Sequence, residues 1–91
     1  MSATKHILLA LVEDKPGVLN RMASVFRRRG FNIQSVNVLE TIEAESSELA
    51  GLARIAVVVT GSASMLGQLR KQLEKIVDVV SVSDITTRNA V

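Results

Sequence analysis

The stretch ILLALVEDKPGVLNRMASVFRRRGFNI, residues 7–33, decides the fold. Ile7–Val12 is a continuous aliphatic run, short enough for a strand covered on both faces. Glu13-Asp14-Lys15-Pro16-Gly17 ends it with a strong turn signal, the Pro-Gly pair. Val18, Leu19, Met22, Ala23, Val25 and Phe26 then recur at helical spacing, with Asn20, Arg21, Ser24, Arg27 and Arg28 opposite, which predicts an amphipathic helix. Arg27-Arg28-Arg29 falls in its last turn, where cations suit the negative end of the helix dipole, and Gly30 supplies the stop. Phe31–Leu39 then reads as a second strand, with Ile33, Val36 and Val38 interleaved with Asn32, Gln34, Ser35 and Asn37.

The rest of the chain repeats the pattern. Glu40–Gly51, rich in Glu, Ser and Ala with no clean period, reads as a mobile loop. Leu52–Thr60, centred on Ile55 and Val57-Val58-Val59, is a third strand, broken by Gly61-Ser62. A second helix carries Leu66, Leu69, Leu73 and Ile76 on one face and Arg70, Lys71, Glu74 and Lys75 on the other, with Ser62 or Ser64 as its expected N-cap. Val77–Thr86 closes the chain as a fourth strand, its alternation interrupted at Val79-Val80 in the manner of a bulge. The order βαββαβ, with right-handed crossovers, puts both helices on one face of a four-stranded antiparallel sheet. The expected class is α+β, a ferredoxin-like sandwich. With strand one apolar on both faces, the sheet face without helices is expected to be a partner surface.

Composition narrows the function classes. The 91 residues suit one domain, taken as residues 1–91 with a core at 5–86. The chain has no cysteine and a single histidine, His6, which excludes a disulfide scaffold, a Cys-zinc site and a thiol nucleophile. His6 opens a strand and is expected near the surface. No metal is expected. Glu13 and Asp14 are adjacent in an extended segment, so their side chains diverge and do not form a catalytic pair. Thr60-Gly61-Ser62 forms neither a P-loop nor a dinucleotide fingerprint. Nothing activates a nucleophile, so the chain is read as non-catalytic. The net charge is only +2 and the only aromatics are Phe26 and Phe31. The central strands thus lack the stacking aromatics of an RNA-recognition module, and nucleic acid is not an expected partner. The N-terminus has neither the apolar length nor the cleavage site of a signal peptide, and no run suits a membrane span. A cytoplasmic protein is expected.

Small-molecule binding leaves one candidate segment, Asp14-Lys15-Pro16-Gly17-Val18-Leu19. Gly17 permits close backbone approach, and the first turn of the helix offers unpaired N–H groups to an anion such as an amino-acid carboxylate. Asp14 is placed to answer the ammonium group. A plain strand-to-helix turn has the same residues, and the segment alone leaves both readings open.

The motif Val12-Glu13-Asp14-Lys15-Pro16-Gly17-Val18-Leu19, followed by Arg21 and by Phe26-Arg27-Arg28-Arg29-Gly30-Phe31-Asn32-Ile33 with Ser35 and Val38, resembles the ACT domain. More narrowly, it resembles the small regulatory subunit of acetolactate (acetohydroxyacid) synthase. Leu52–Val59, Leu69–Leu73 and Ile76-Val77-Asp78-Val79 match in order and spacing. The Pro-Gly-Val-Leu turn is common to many ACT domains, whereas Arg-Arg-Gly-Phe-Asn-Ile is far more specific.

The resemblance implies a regulatory subunit that binds and activates a large catalytic subunit and confers feedback inhibition by valine or another branched-chain amino acid. It implies a homodimer through strand 31–39, with the effector at the interface. By the family's pattern Asp14, Gly17 and Asn32 are the effector-site positions, with Val18 and Leu19 supplying backbone N–H groups and packing. Thiamine diphosphate, Mg²⁺ and FAD would belong to the partner chain, and no cofactor is expected here. The alternative is a free-standing ACT module sensing an amino acid for another enzyme or regulator; a purely structural assembly domain is third. Asp14 stands where the family often has Asn, and Phe31 where Tyr is common. Many members carry a second, C-terminal domain.

Overall fold

The computed structural model describes residues 4–42 and 51–86. The elements are β1 (Thr4–Glu13), α1 (Val18–Arg28), β2 (Asn32–Ile42), β3 (Leu52–Gly61), a short 3₁₀ turn (Ala63–Met65), α2 (Leu66–Glu74) and β4 (Val79–Asp84). They form one sheet in the order β2-β3-β1-β4, every pair antiparallel. This is the expected ferredoxin-like sandwich. The part of the expected loop from Glu40 to Ile42 belongs to β2, and residues 43–50 lie outside the described residues.

One face of the sheet is dry. Leu8, Ala10 and Val12 of β1 stand directly opposite buried Val57, Ile55 and Ala53 of β3, and together with Val59 they pack with Val18, Met22, Val25 and Phe26 of α1 and Leu69 and Leu73 of α2. The other face is not covered on both sides as the aliphatic run suggests. Ile7, Leu9 and Leu11 remain half-buried, because period-two alternation sends them away from the helices. Leu19, expected on the apolar side of α1, is 40 % exposed.

The end of α1 fits its sequence closely. Gly30 sits at φ +79, its N–H donates to the Arg27 carbonyl at 3.1 Å, and the Phe31 N–H donates to the Phe26 carbonyl at 2.9 Å. These two bonds form a Schellman motif, and the two phenylalanines that flank it are both buried. The start of α2 departs from expectation. A 3₁₀ turn intervenes, so neither serine caps α2 through its side chain; the Ser62 carbonyl accepts the Met65 N–H at 3.0 Å, and the two hydroxyls meet at 2.8 Å. Ile76 follows the helix rather than lying on it.

The fourth strand is shorter than expected, and its bulge lies where Val79-Val80 breaks the alternation. Leu11 pairs with Ser81 and Val12 with Val79, which leaves Val80 over. Strand β2 carries two bulges, at Gln34 and Leu39, where its register on β3 shifts. His6 is buried, not near the surface as its position suggests. Its ring lies 2.8 Å from the Thr4 hydroxyl and packs edge-on to Phe31, with centroids 6.1 Å apart.

Candidate functional site

The loop between β1 and α1 is shaped by Pro16 and Gly17. Gly17 adopts φ +88, ψ −12, and the Val18 N–H reaches back to the Lys15 carbonyl at 3.4 Å. Proline at the second turn position and a left-handed glycine at the third is the pattern of a type II turn. Gly17 is also the N-cap of α1, and no side chain among the described residues caps the helix. Its carbonyl accepts the first helical bond, from the Arg21 N–H at 3.0 Å. The N–H groups of Gly17, Leu19 and Asn20 have no backbone partner among the described residues. They form the positive end of the helix, open to an anion.

The rest of the loop is anchored. The Asp14 N–H donates to the Gly51 carbonyl at 2.9 Å, the Lys15 N–H to the Glu13 carbonyl at 2.9 Å, and the Glu13 N–H to the Asp78 carbonyl at 2.8 Å. Lys15 Nζ lies 2.9 Å from Glu13 Oε1 and 4.0 Å from Asp78 Oδ1, and the Arg21 guanidinium donates to the Asp78 carboxylate. The hydrogen bond to Glu13 and its charge, then the charge of Asp78, hold the Lys15 ammonium above its usual pKa. Neither Arg21 nor Asp78 stands out as a site residue in the sequence. The only signal for Asp78 is an acidic residue set inside the apolar run Ile76-Val77-Asp78-Val79-Val80.

The expected site residues fall into two groups. Asp14, Gly17, Val18 and Leu19 are together in the loop, with Asp14 and Gly17 exposed and Val18 packed into the core. Asn32, also exposed, is elsewhere. It pairs with Thr60, which pairs with Lys5, whereas Glu13 pairs with Leu52, which pairs with Ile42. Eight residue steps separate Lys5 from Glu13, so Asn32 and the loop stand at opposite ends of the sheet, roughly 27 Å apart along the strands. Among the described residues no group of three or more His, Cys, Asp and Glu side chains is arranged to hold a metal, and no helix is long and apolar enough to cross a membrane.

Residues 8–81 match the family described as the AHAS small subunit-like ACT domain. The chain belongs to that family. This ACT domain is 46 % identical over 85 residues to the probable acetolactate synthase small subunit of Methanothermobacter thermautotrophicus, covering 93 % of this chain and 47 % of that protein. It is 41 % identical over 91 residues to the acetolactate synthase small subunit of Mycobacterium avium, covering 100 % of this chain and 51 % of that protein. The crystal structure of the small subunit from Thermotoga maritima superposes with a TM-score of 0.68 at 40 % identity, covering 89 % of this chain and 47 % of that one. This ACT domain thus spans about half the length of these relatives. The ACT domain from GTP pyrophosphokinase of Chlorobium tepidum, at 19 % identity and TM-score 0.67, covers 91 % of this chain and 99 % of that one, and shares the fold.

Proposed function

We propose that this chain is a non-catalytic regulatory subunit of acetolactate synthase, which activates the large catalytic subunit and makes it sensitive to valine or another branched-chain amino acid. The relatives' shared description as small subunits supports a large partner. Thiamine diphosphate chemistry belongs to that partner.

The observation that carries the effector reading is the distance between Asn32 and the loop. β2 is an edge strand, and its Ile42 end lies level with Glu13. Antiparallel pairing of β2 with a second copy across a two-fold axis lays the start of one β2 beside the end of the other. The partner's copy of the Asn32 position then approaches the Asp14–Gly17 loop. Loop N–H groups hold the effector carboxylate, while Asp14 and the side-chain carbonyl of the asparagine take its ammonium. A branched aliphatic side chain is received by apolar neighbours, among them the exposed Leu19.

Two measurements test this. Mixed with the large subunit, the chain should raise acetolactate synthesis and render it inhibitable by valine. Calorimetry with valine, leucine and isoleucine should show binding that Asn32→Ala weakens about tenfold or more, the loss of roughly 1.5–3 kcal/mol for a hydrogen bond to a charged group. Binding undiminished in Asn32→Ala would move the site elsewhere. Amino-acid binding with no effect on any large subunit would favour a free-standing sensor.

A further inference from the structure

We propose that Asp78 is the positioning residue of the β1–α1 loop, and that Arg21 transmits its hold to Gly17. The proposal rests on the reading of that loop as the effector site. Asp78 lies in the turn before β4, far from the loop in sequence, yet it meets the loop and the two elements that flank it three times. Its carbonyl accepts the Glu13 N–H, its carboxylate accepts from the Arg21 guanidinium, and the same carboxylate stands 4.0 Å from Lys15 Nζ.

Burial separates this arrangement from an ordinary surface ion pair. The Asp78 side chain is 9 % exposed, against 47 % for Arg21 and 60 % for Lys15. An exposed pair contributes little, whereas a buried carboxylate left without its cations is strongly disfavoured. Asp78 therefore fixes where the Arg21 guanidinium goes, while Lys15, held mainly by Glu13, adds a second cation at the limit of contact. Arg21 lies one helical turn beyond Gly17, and its Nη1 is 3.2 Å from the point where a Gly17 Cβ would stand. The guanidinium thus lies against the glycine, where a Gly17 side chain would begin. Loop, first helical turn and pre-β4 turn form one unit before any ligand arrives. Fixing the loop N–H groups in advance removes an ordering cost from binding.

The test uses the full chain as wild type, Asp78→Asn, Arg21→Gln, Arg21→Lys and the double variant Asp78→Asn/Arg21→Gln. Amide hydrogen exchange is followed at Glu13 and Lys15 in the loop and at Val57 and Val59 in the core, and valine affinity by calorimetry. In Asp78→Asn and Arg21→Gln the loop amides should exchange faster while the core amides keep their rates, and valine should bind about tenfold more weakly. Arg21→Lys should lose less. The double variant should be no worse than the worse single one, because the two residues act as one contact. Loop exchange at the wild-type rate in both single variants overturns the proposal, as does acceleration spread equally over loop and core. Should Asp78→Asn not fold, Arg21→Gln carries the same comparison from an exposed position. If wild type binds no branched-chain amino acid, the effector reading fails, and the exchange rates alone decide whether Asp78 positions the loop.

Discussion

A Cβ on Gly61 would stand 2.8 Å from Cγ of Phe31 and closer still to two other atoms of the ring. Gly61 ends β3 facing the helices, and the Phe31 ring fills the space its missing side chain leaves. The ring in turn meets His6 edge-on and leads directly into Asn32. Gly61→Ala forces a buried ring to move, an overpacking that costs about 1–3 kcal/mol. Urea denaturation should show that loss. A variant as stable as wild type would mean that Phe31 has another place to go.

Gly17 is constrained by backbone conformation more than by space. At φ +88 a side chain costs about 1–2 kcal/mol, the penalty of the left-handed region for an L-residue. Among the described residues, chain neighbours aside, the added methyl would meet only the end of the flexible Arg21 side chain. Gly17→Ala should therefore fold with that modest loss in urea denaturation and bind valine more weakly. Gly17→Asp should bind more weakly still, because it sets a second negative charge beside the open N–H groups. Valine affinity equal to wild type in both variants would remove Gly17 from the site.

The β2 edge predicts the assembly. Val36, Val38 and Leu39 are 42 %, 56 % and 56 % exposed in the single chain, and the strand has neither proline nor lysine, the usual guards of a free edge. The other edge, β4, is short and bulged at Val80. Sedimentation at tens of micromolar should show a dimer in wild type. Val38→Lys together with Leu39→Lys should shift it toward monomer and lose valine binding in parallel. A dimer unchanged by the two lysines would place the contact elsewhere.

The order of elements was legible because local signals agree: a Pro-Gly turn, a helical period, a glycine stop and two strand-like runs. The bulges of β2 were less so. The step of three from Ile33 to Val36 is the trace of the first in the sequence, but only pairing with β3 decides that Gln34 is the extra residue. Burial of His6 was not legible at all, since it depends on Phe31 and Gly61, which the fold brings to it from distant positions. Asp78 was missed for the same reason. Its partner Arg21 is 57 residues away, and no local pattern marks a carboxylate whose role is set by a tertiary contact.

The last strand ends in a clip that gives the fold an acid-sensitive point. The Thr86 N–H donates to Asp84 Oδ1 at 2.9 Å, the Thr86 hydroxyl accepts the Ile7 N–H at 3.0 Å, and the Ile85 N–H donates to the Ile7 carbonyl at 2.9 Å. Burial pushes the Asp84 carboxyl up, but the hydrogen bonds from Thr86 and the charges of His6 and Arg70 outweigh it, and the pKa falls below its ordinary 3.8. A carboxyl lowered by folding stabilises the folded state above its unfolded value, and that contribution is lost as pH falls through the lowered one. Urea denaturation at a series of pH values should thus show wild type losing stability below pH 3.8 more steeply than Asp84→Asn, which cannot titrate there. Thr86→Val, which removes the hydroxyl but keeps the N–H, should fall between them. Parallel acid curves for wild type and Asp84→Asn would show that the clip does not depend on the carboxylate charge.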